Sequence, residues 1–288
     1  MPELPEVETV ANGVHARVHG QTIHAVWTSN KPQTFKTAPD QIAAILTGSR
    51  IDRVHRVGKT IVVDLRLRDK RKAQFLVHLG MTGRLLVCAP EVPFPPHTHA
   101  VLSLGGGPRR KQQDLRFVDA RRFGRLSVLL PEESESEPES ELQTGPYTGP
   151  GKEPLTISLE DFIALFRGRK TPIKAALLNQ RLLHGVGNIY ADESLFHAGI
   201  RPRRQAGRLT RAELTRLRQA LVDVLTHAIQ LGGSSVSDYV DADGVRGFFQ
   251  LQHRVYLRTG EPCLTCKTPI QRILIGGRGT HFCPTCQR

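Results

Sequence analysis

Four cysteines have the spacing that points most directly to chemistry. Cys263 and Cys266 are two residues apart, Cys283 and Cys286 repeat the pattern, and 16 residues separate the pairs. Two such knuckles at the ends of a β-hairpin bring four thiolates to the corners of a tetrahedron, the geometry of closed zinc sites; the alternative is four unrelated cysteines. With every corner a thiolate, no position is open for water or substrate, so one Zn2+ is expected to hold structure rather than catalyse. Such a metal contributes ~10–16 kcal/mol at neutral pH, enough to fold a module too small for its own core. Between the knuckles, Gly276-Gly277-Arg278-Gly279-Thr280 sets a basic residue on a glycine-rich turn where a phosphate could approach. A solvated turn-tip arginine is the plainer reading. Gly185-Val186-Gly187-Asn188 ahead of Ile189-Tyr190-Ala191 reads as a backbone nest leading into a helix capped by Asn188, a ready anion site, or else a plain helix-helix turn.

These groups need elements to position them. Pro5 followed by Val7, Val10, Val14 and Val18, with Gly20 beyond, predicts an amphipathic N-terminal helix. From residue 22 to about 130 run short β-rich stretches, among them Thr60–Leu65, Gln74–Leu79 and Arg125–Leu129, parted by Gly or Pro turns. They predict a mostly antiparallel sandwich or barrel. Residues 131–141 alternate Glu and Ser with almost nothing apolar, the composition of an acidic disordered linker and a domain boundary. Beyond it the period becomes helical. Ser158 with Asp161 caps one helix, and Thr210 with Glu213 forms a capping box ahead of Leu214, Leu217, Leu221, Leu225 and Ile229.

The 288 residues carry 40 Lys+Arg against 27 Asp+Glu, a net charge of +13 that favours a polyanion such as nucleic acid or an acidic membrane. Residues 131–153 hold seven acids and one base, so the rest of the chain is more basic still. No segment approaches the ~20 apolar residues of a membrane span, and the start Met1-Pro2-Glu3-Leu4-Pro5-Glu6 is no secretory signal. A soluble, cytoplasmic, nucleoid-associated protein is expected. Cys88, in the apolar run Leu85–Cys88, reads as a core thiol.

Five blocks resemble one family in order along nearly the whole chain: Pro2–Thr9, His78-Leu79-Gly80-Met81-Thr82-Gly83, Asp119-Ala120-Arg121-Arg122-Phe123-Gly124, Gly185–Ala191 and the C-terminal cysteine knuckles. The family is formamidopyrimidine-DNA glycosylase. The resemblance implies an α+β fold: an N-terminal antiparallel β-sandwich domain with its helix (1–130), the acidic linker (131–156), a helix-two-turn-helix DNA-binding domain (157–250) and a β-hairpin zinc finger (251–288). It implies a bifunctional glycosylase and abasic-site lyase, monomeric, acting on double-stranded DNA that contains oxidised bases or abasic sites.

Excision followed by strand cleavage needs an amine to attack the sugar C1′ and form an iminium, the electron sink for the eliminations. A lysine near pKa ~10.4 is about 0.1% neutral at pH 7.4, whereas an α-amino group near ~7.7–8.0 is roughly a quarter to a third neutral. The amine of Pro2, once Met1 is removed, therefore outcompetes an unperturbed lysine. By resemblance Glu3 is the general acid that opens the sugar. Glu6 resembles a residue that helps hold the site, or serves the helix dipole. Lys59 matches a lysine linked to phosphate contact and β-elimination, and Arg278 an arginine linked to δ-elimination; pure phosphate clamping fits both.

A base inside a duplex must be flipped out and the gap filled. Met81, Arg121 and Phe123 resemble the family's insertion residues: a flexible thioether, a planar guanidinium and an aromatic wedge. Core positions are the alternative for Met81 and Phe123. His97, Arg169 and Asn188 fall near DNA-contact positions, although the family comparison has lysine at the place of Arg169. Residues 232–250, with Ser234–Tyr239, resemble the mobile loop that covers the flipped base. An endonuclease VIII-type enzyme for oxidised pyrimidines and a non-enzymatic zinc-ribbon DNA-binding protein are the rival functions.

Overall fold

The computed structural model describes residues 1–105, 112–130, 146–235 and 239–288. Its contacts gather into two units: Met1–Pro2, Glu6–Thr148 and Ser235–Gly247 form the first, and Glu3–Pro5, Gly149–Ser234 and Phe248–Arg288 the second. The chain thus passes between units more often than single cuts at 130, 156 and 250 suggest.

The N-terminal helix α1 (Leu4–Val18) buries Val7, Val10, Val14 and Val18 in the first unit's core, while Leu4 joins the core of the second. Gly20, at φ 75°, ends it in the left-handed conformation that glycine adopts without penalty. There follow β1 (Thr22–Thr28), α2 (Pro39–Leu46), β2 (Arg50–Val57), β3 (Thr60–Arg66), β4 (Lys72–His78), β5 (Arg84–Cys88), β6 (Thr98–Gly105), β7 (Gln113–Val118) and β8 (Arg125–Leu129). The strands are antiparallel in the order β5-β7-β6-β1-β2-β3-β4-β8. β1 and β2 pair only at Thr22 and Arg50, so the sheet divides there into two four-stranded halves. Both halves turn apolar residues into one core, Val63 and Phe75 from one, Leu102 and Phe117 from the other, which is the packing of a sandwich.

Part of the expected covering loop belongs to this unit. Tyr239 and Ala242 are buried in its core; the Tyr239 hydroxyl donates to the Glu6 carbonyl (3.3 Å), the Val87 N–H donates to the Ala242 carbonyl (3.1 Å), and Arg17 pairs with Asp243. Residues 239–247 are therefore fastened to α1 and β5 rather than free; 236–238 lie outside the described residues. Residues 131–145 of the expected linker also lie outside them. Residues 146–156 are not free chain: the Tyr147 N–H donates to Gln74 Oε1 (2.7 Å), and the Lys152 N–H donates to the Leu182 carbonyl (2.9 Å). Cys88 is half-buried at the end of β5, less enclosed than a core thiol.

The second unit contains α3 (Leu159–Phe166), α4 (Ile173–Leu177), α5 (Asn188–His197), α6 (Arg211–Gln230) and the hairpin β9 (Gln271–Ile275) and β10 (Arg278–Phe282). Both expected caps form: Ser158 Oγ accepts from the Asp161 N–H (3.1 Å), and Thr210 and Glu213 make the reciprocal capping box that opens α6. Arg204 beside Glu213 holds that carboxyl down to about 2, so the cap stays charged at neutral pH. Leu214, Leu217, Leu221 and Leu225 of α6 pack with Phe162, Phe166 and Tyr190 in the core.

Candidate active site and nucleic-acid contacts

In the first unit, Met81, Arg121 and Phe123 occupy two neighbouring turns. Gly80, at φ 63°, lies so close that an added Cβ would sit 2.5 Å from the Gly124 nitrogen and the Phe123 carbonyl carbon. Gly124 is equally confined, by Phe117 and the His78 carbonyl. The turns pack backbone to backbone, which the flanking glycines make possible. Met81 and Phe123 are 39% and 48% exposed, so neither is a core residue, and the Arg121 guanidinium lies 4.7 Å from the centre of the Phe123 ring. Between the turns sits Asp119, fully buried, whose carboxylate accepts from Thr82, Arg121 and Gly124.

Lys59 occupies the two-residue turn between β2 and β3. Val57 pairs with Thr60, and of the two turn residues only Gly58 has positive φ (60°), the type II′ pattern. In the strand beside Thr60 is His78. Burial, then the charges of Lys59 and Arg125, hold its imidazole below the usual histidine value, so it is neutral at pH 7. Its Nδ1 accepts from the Gly80 N–H (3.1 Å), which leaves the proton on Nε2. His97 is exposed, at φ 67°, at the end of a proline-rich segment. The fully buried Arg116 holds that segment, donating to the carbonyls of Val92 (2.7 Å), Pro93 (3.2 Å) and Pro90 (3.2 Å).

In the second unit the glycine nest encloses the chain's own acid. The Glu3 carboxylate accepts from the N–H groups of Ile189 (3.1 Å) and Tyr190 (3.5 Å) at the start of α5. Here the helix dipole favours negative charge. A Cβ on Gly187 would lie 2.2 Å from the Glu3 carboxyl carbon, and Gly185, at φ 95°, packs against Leu4. Asn188 is not the helix cap: Gly187 is the N-cap, and the Asn188 side chain instead donates to the Gly279 carbonyl (3.0 Å). Sequence favoured asparagine because it is a common cap; Glu3, 186 positions from Ile189, took the helix end.

Lys174, to which the motifs assigned no role, is fully buried and donates to the same Gly279 carbonyl (3.0 Å), while its Nζ lies 2.6 Å from Asp192 Oδ1. Asp192 Oδ2 accepts from the His281 N–H (2.9 Å). Burial pulls the Lys174 pKa down against the opposing pull of Asp192 and Glu3. Enclosed and bonded, this amine is not open to a sugar carbon. Together Asn188 and Lys174 fix the residue after Arg278. Arg278 itself is exposed at the start of β10, where Gly276 and Gly277, at φ 55° and 72°, form the type I′ turn of the hairpin. Arg169 is exposed just beyond α3, its Nε donating to the Leu165 carbonyl (2.5 Å).

The sulfurs of Cys263, Cys266, Cys283 and Cys286 lie within 4.8 Å of one another, with pairs at 3.9 and 3.4 Å. Tetrahedral zinc with ~2.3 Å bonds needs sulfurs about 3.8 Å apart, so the set fits the metal. The four thiols form a structural zinc site.

Comparison with known proteins accords with this architecture. The chain matches the formamidopyrimidine-DNA glycosylase N-terminal domain over residues 1–126, the H2TH domain of that enzyme over 150–240, and the zinc finger found in FPG and IleRS over 260–288. It is 46% identical over 288 residues to the formamidopyrimidine-DNA glycosylase of Solibacter usitatus, covering 100% of both chains. The chain belongs to the formamidopyrimidine-DNA glycosylase family. Members of this family have glycosylase and abasic-site lyase activity. The family member from Symbiobacterium thermophilum is 42% identical, over 100% of this chain and 89% of its own. Among solved structures, Lactococcus lactis Fpg bound to DNA containing an oxidised pyrimidine superposes with a TM-score of 0.83 at 30% identity, covering 100% of both chains. MutM (Fpg) from Thermus thermophilus gives 0.80 at 40% identity, over 99% of this chain and 98% of that one. Among the described residues no helix is long and apolar enough to cross a membrane.

Proposed function

We propose that this protein excises oxidised purines from duplex DNA and then nicks the abasic site, working as a monomer at the nucleoid. The Pro2 nitrogen, exposed as an amine by removal of Met1, attacks C1′ and the base leaves. Glu3 protonates the sugar ring oxygen while the base is still attached, so that the ring opens at C1′ for this attack; from the iminium that remains, loss of the C2′ proton expels the 3′ phosphate and loss of the C4′ proton then expels the 5′ phosphate. Lys59, His97, Arg169, Asn188 and Arg278 hold the phosphates, with Lys59 assisting β-elimination and Arg278 δ-elimination. Met81, Arg121 and Phe123 fill the gap left by the flipped base.

The observation that carries this reading is Glu3. A carboxyl group directly after the candidate nucleophile is buried and its position is fixed by two helix N–H groups, so acid and amine adjoin along the chain. Duplexes containing 8-oxoguanine or thymine glycol test the substrate class. Faster excision of 8-oxoguanine is expected; faster excision of thymine glycol would make this a pyrimidine enzyme. That second reading has one observation behind it, the Lactococcus lactis relative bound to oxidised-pyrimidine DNA.

A further inference from the structure

We infer that Asp119 is the positioning residue that assembles the insertion side chains. This rests on the proposed role of Met81, Arg121 and Phe123 as gap fillers. Asp119 Oδ1 accepts from the Thr82 hydroxyl (2.6 Å) and the Arg121 N–H (3.2 Å), and Oδ2 accepts from the Gly124 N–H (2.7 Å). Thr82 adjoins Met81, while Arg121 and Gly124 bracket Phe123, so one carboxylate fixes the backbone beside all three. Its main chain reaches further: the Asp119 N–H donates to the His97 carbonyl (3.0 Å), and the Asp119 carbonyl accepts from His99 Nε2 (3.0 Å).

Among the described residues the carboxylate oxygens meet two backbone N–H groups, which can only donate, one on each oxygen, together with the Thr82 hydroxyl on Oδ1, and the side chain is fully buried. A carboxylate offers an acceptor to the backbone N–H on each side. Asparagine has nearly the same shape but must aim its NH2 either at the Gly124 N–H or at the Thr82 and Arg121 pair. One turn is then released. Met81 and Phe123 are held out in solvent against their hydrophobicity, and release lets them collapse toward the sheet.

The test uses the full-length, zinc-loaded protein and two substrates: a duplex with 8-oxoguanine opposite cytosine, and a single strand carrying an abasic site, which has no partner base and no stack to fill. In single-turnover reactions D119N is expected to lose about 100-fold on the duplex, the scale of a misplacement of about 1 Å, while cleaving the single strand at about the wild-type rate. T82V, which leaves the carboxylate in place, should show the same selectivity at about 10-fold. T82S, which keeps the hydroxyl, should restore duplex excision. Equal losses on both substrates by T82V, or wild-type duplex rates in D119N, would overturn the inference. A D119N chain that fails to fold loses both reactions, and T82V then decides. If the wild type cleaves neither substrate, the proposed function itself fails.

Discussion

Glu3→Gln should slow base excision by about 10²–10⁴-fold, the range of a general acid, while cleavage of a preformed abasic site is far less affected. The split follows from where the proton is needed. Opening the sugar with the base attached demands an acid at the ring oxygen; an abasic sugar already reaches its open aldehyde in water. Glutamine also damages the setting, since its NH2 would face the Ile189 or Tyr190 N–H that now points at a carboxylate oxygen. Single-turnover rates on 8-oxoguanine and abasic duplexes, measured side by side, check this. Equal losses on both would show that Glu3 serves mainly to anchor the chain start on α5.

Removing zinc should cost at least about 100-fold in DNA affinity, because the metal is the hairpin's main source of stability, at ~10–16 kcal/mol. The fully buried cluster at the knuckles is small, Val255, Cys263, Ile270 and Cys283, and two of those are ligands. Without the metal the turn that presents Arg278 has no fixed geometry, and the bonds from Lys174 and Asn188 to Gly279 have no fixed acceptor. The sheet of the first unit has its own core and should survive. Chelation, with zinc content, circular dichroism and binding to an abasic-site duplex followed together, should show affinity lost while the β signal persists, and restored by added zinc. Retained affinity in a metal-free chain would remove the hairpin from the DNA contacts.

Local features of the fold were legible in the sequence because their causes are local. A proline and valines at helical spacing wrote α1, the Ser158 and Thr210 caps wrote the starts of α3 and α6, and cysteine spacing wrote the zinc site. The exposure of Met81 and Phe123 followed from their flanking glycines, which let two backbones meet. What sequence could not supply were partners distant along the chain. Thr82 and Asp119 are 37 residues apart, Lys174 and Gly279 are 105 apart, and nothing near either end of these bonds announces the other. Glu3 at the start of α5 is the extreme case, and it displaced the cap that local preference gave to Asn188. The same holds for residues 239–247, part of the 232–250 segment that resembles a mobile covering loop. Tyr239, Ala242 and Asp243 instead find Glu6, Val87 and Arg17.

The mechanism turns on the Pro2 amine as the proposed nucleophile. Incubation of the full-length protein with an 8-oxoguanine duplex and borohydride reduces an iminium to a stable cross-link, which peptide mapping locates. One adduct is expected, on Pro2, absent from a chain whose Pro2 amine is capped by a retained residue. An adduct on Lys59 would keep the enzyme and contradict the mechanism, and a zinc-loaded protein that binds the duplex but yields neither adduct nor strand break would contradict the lyase altogether.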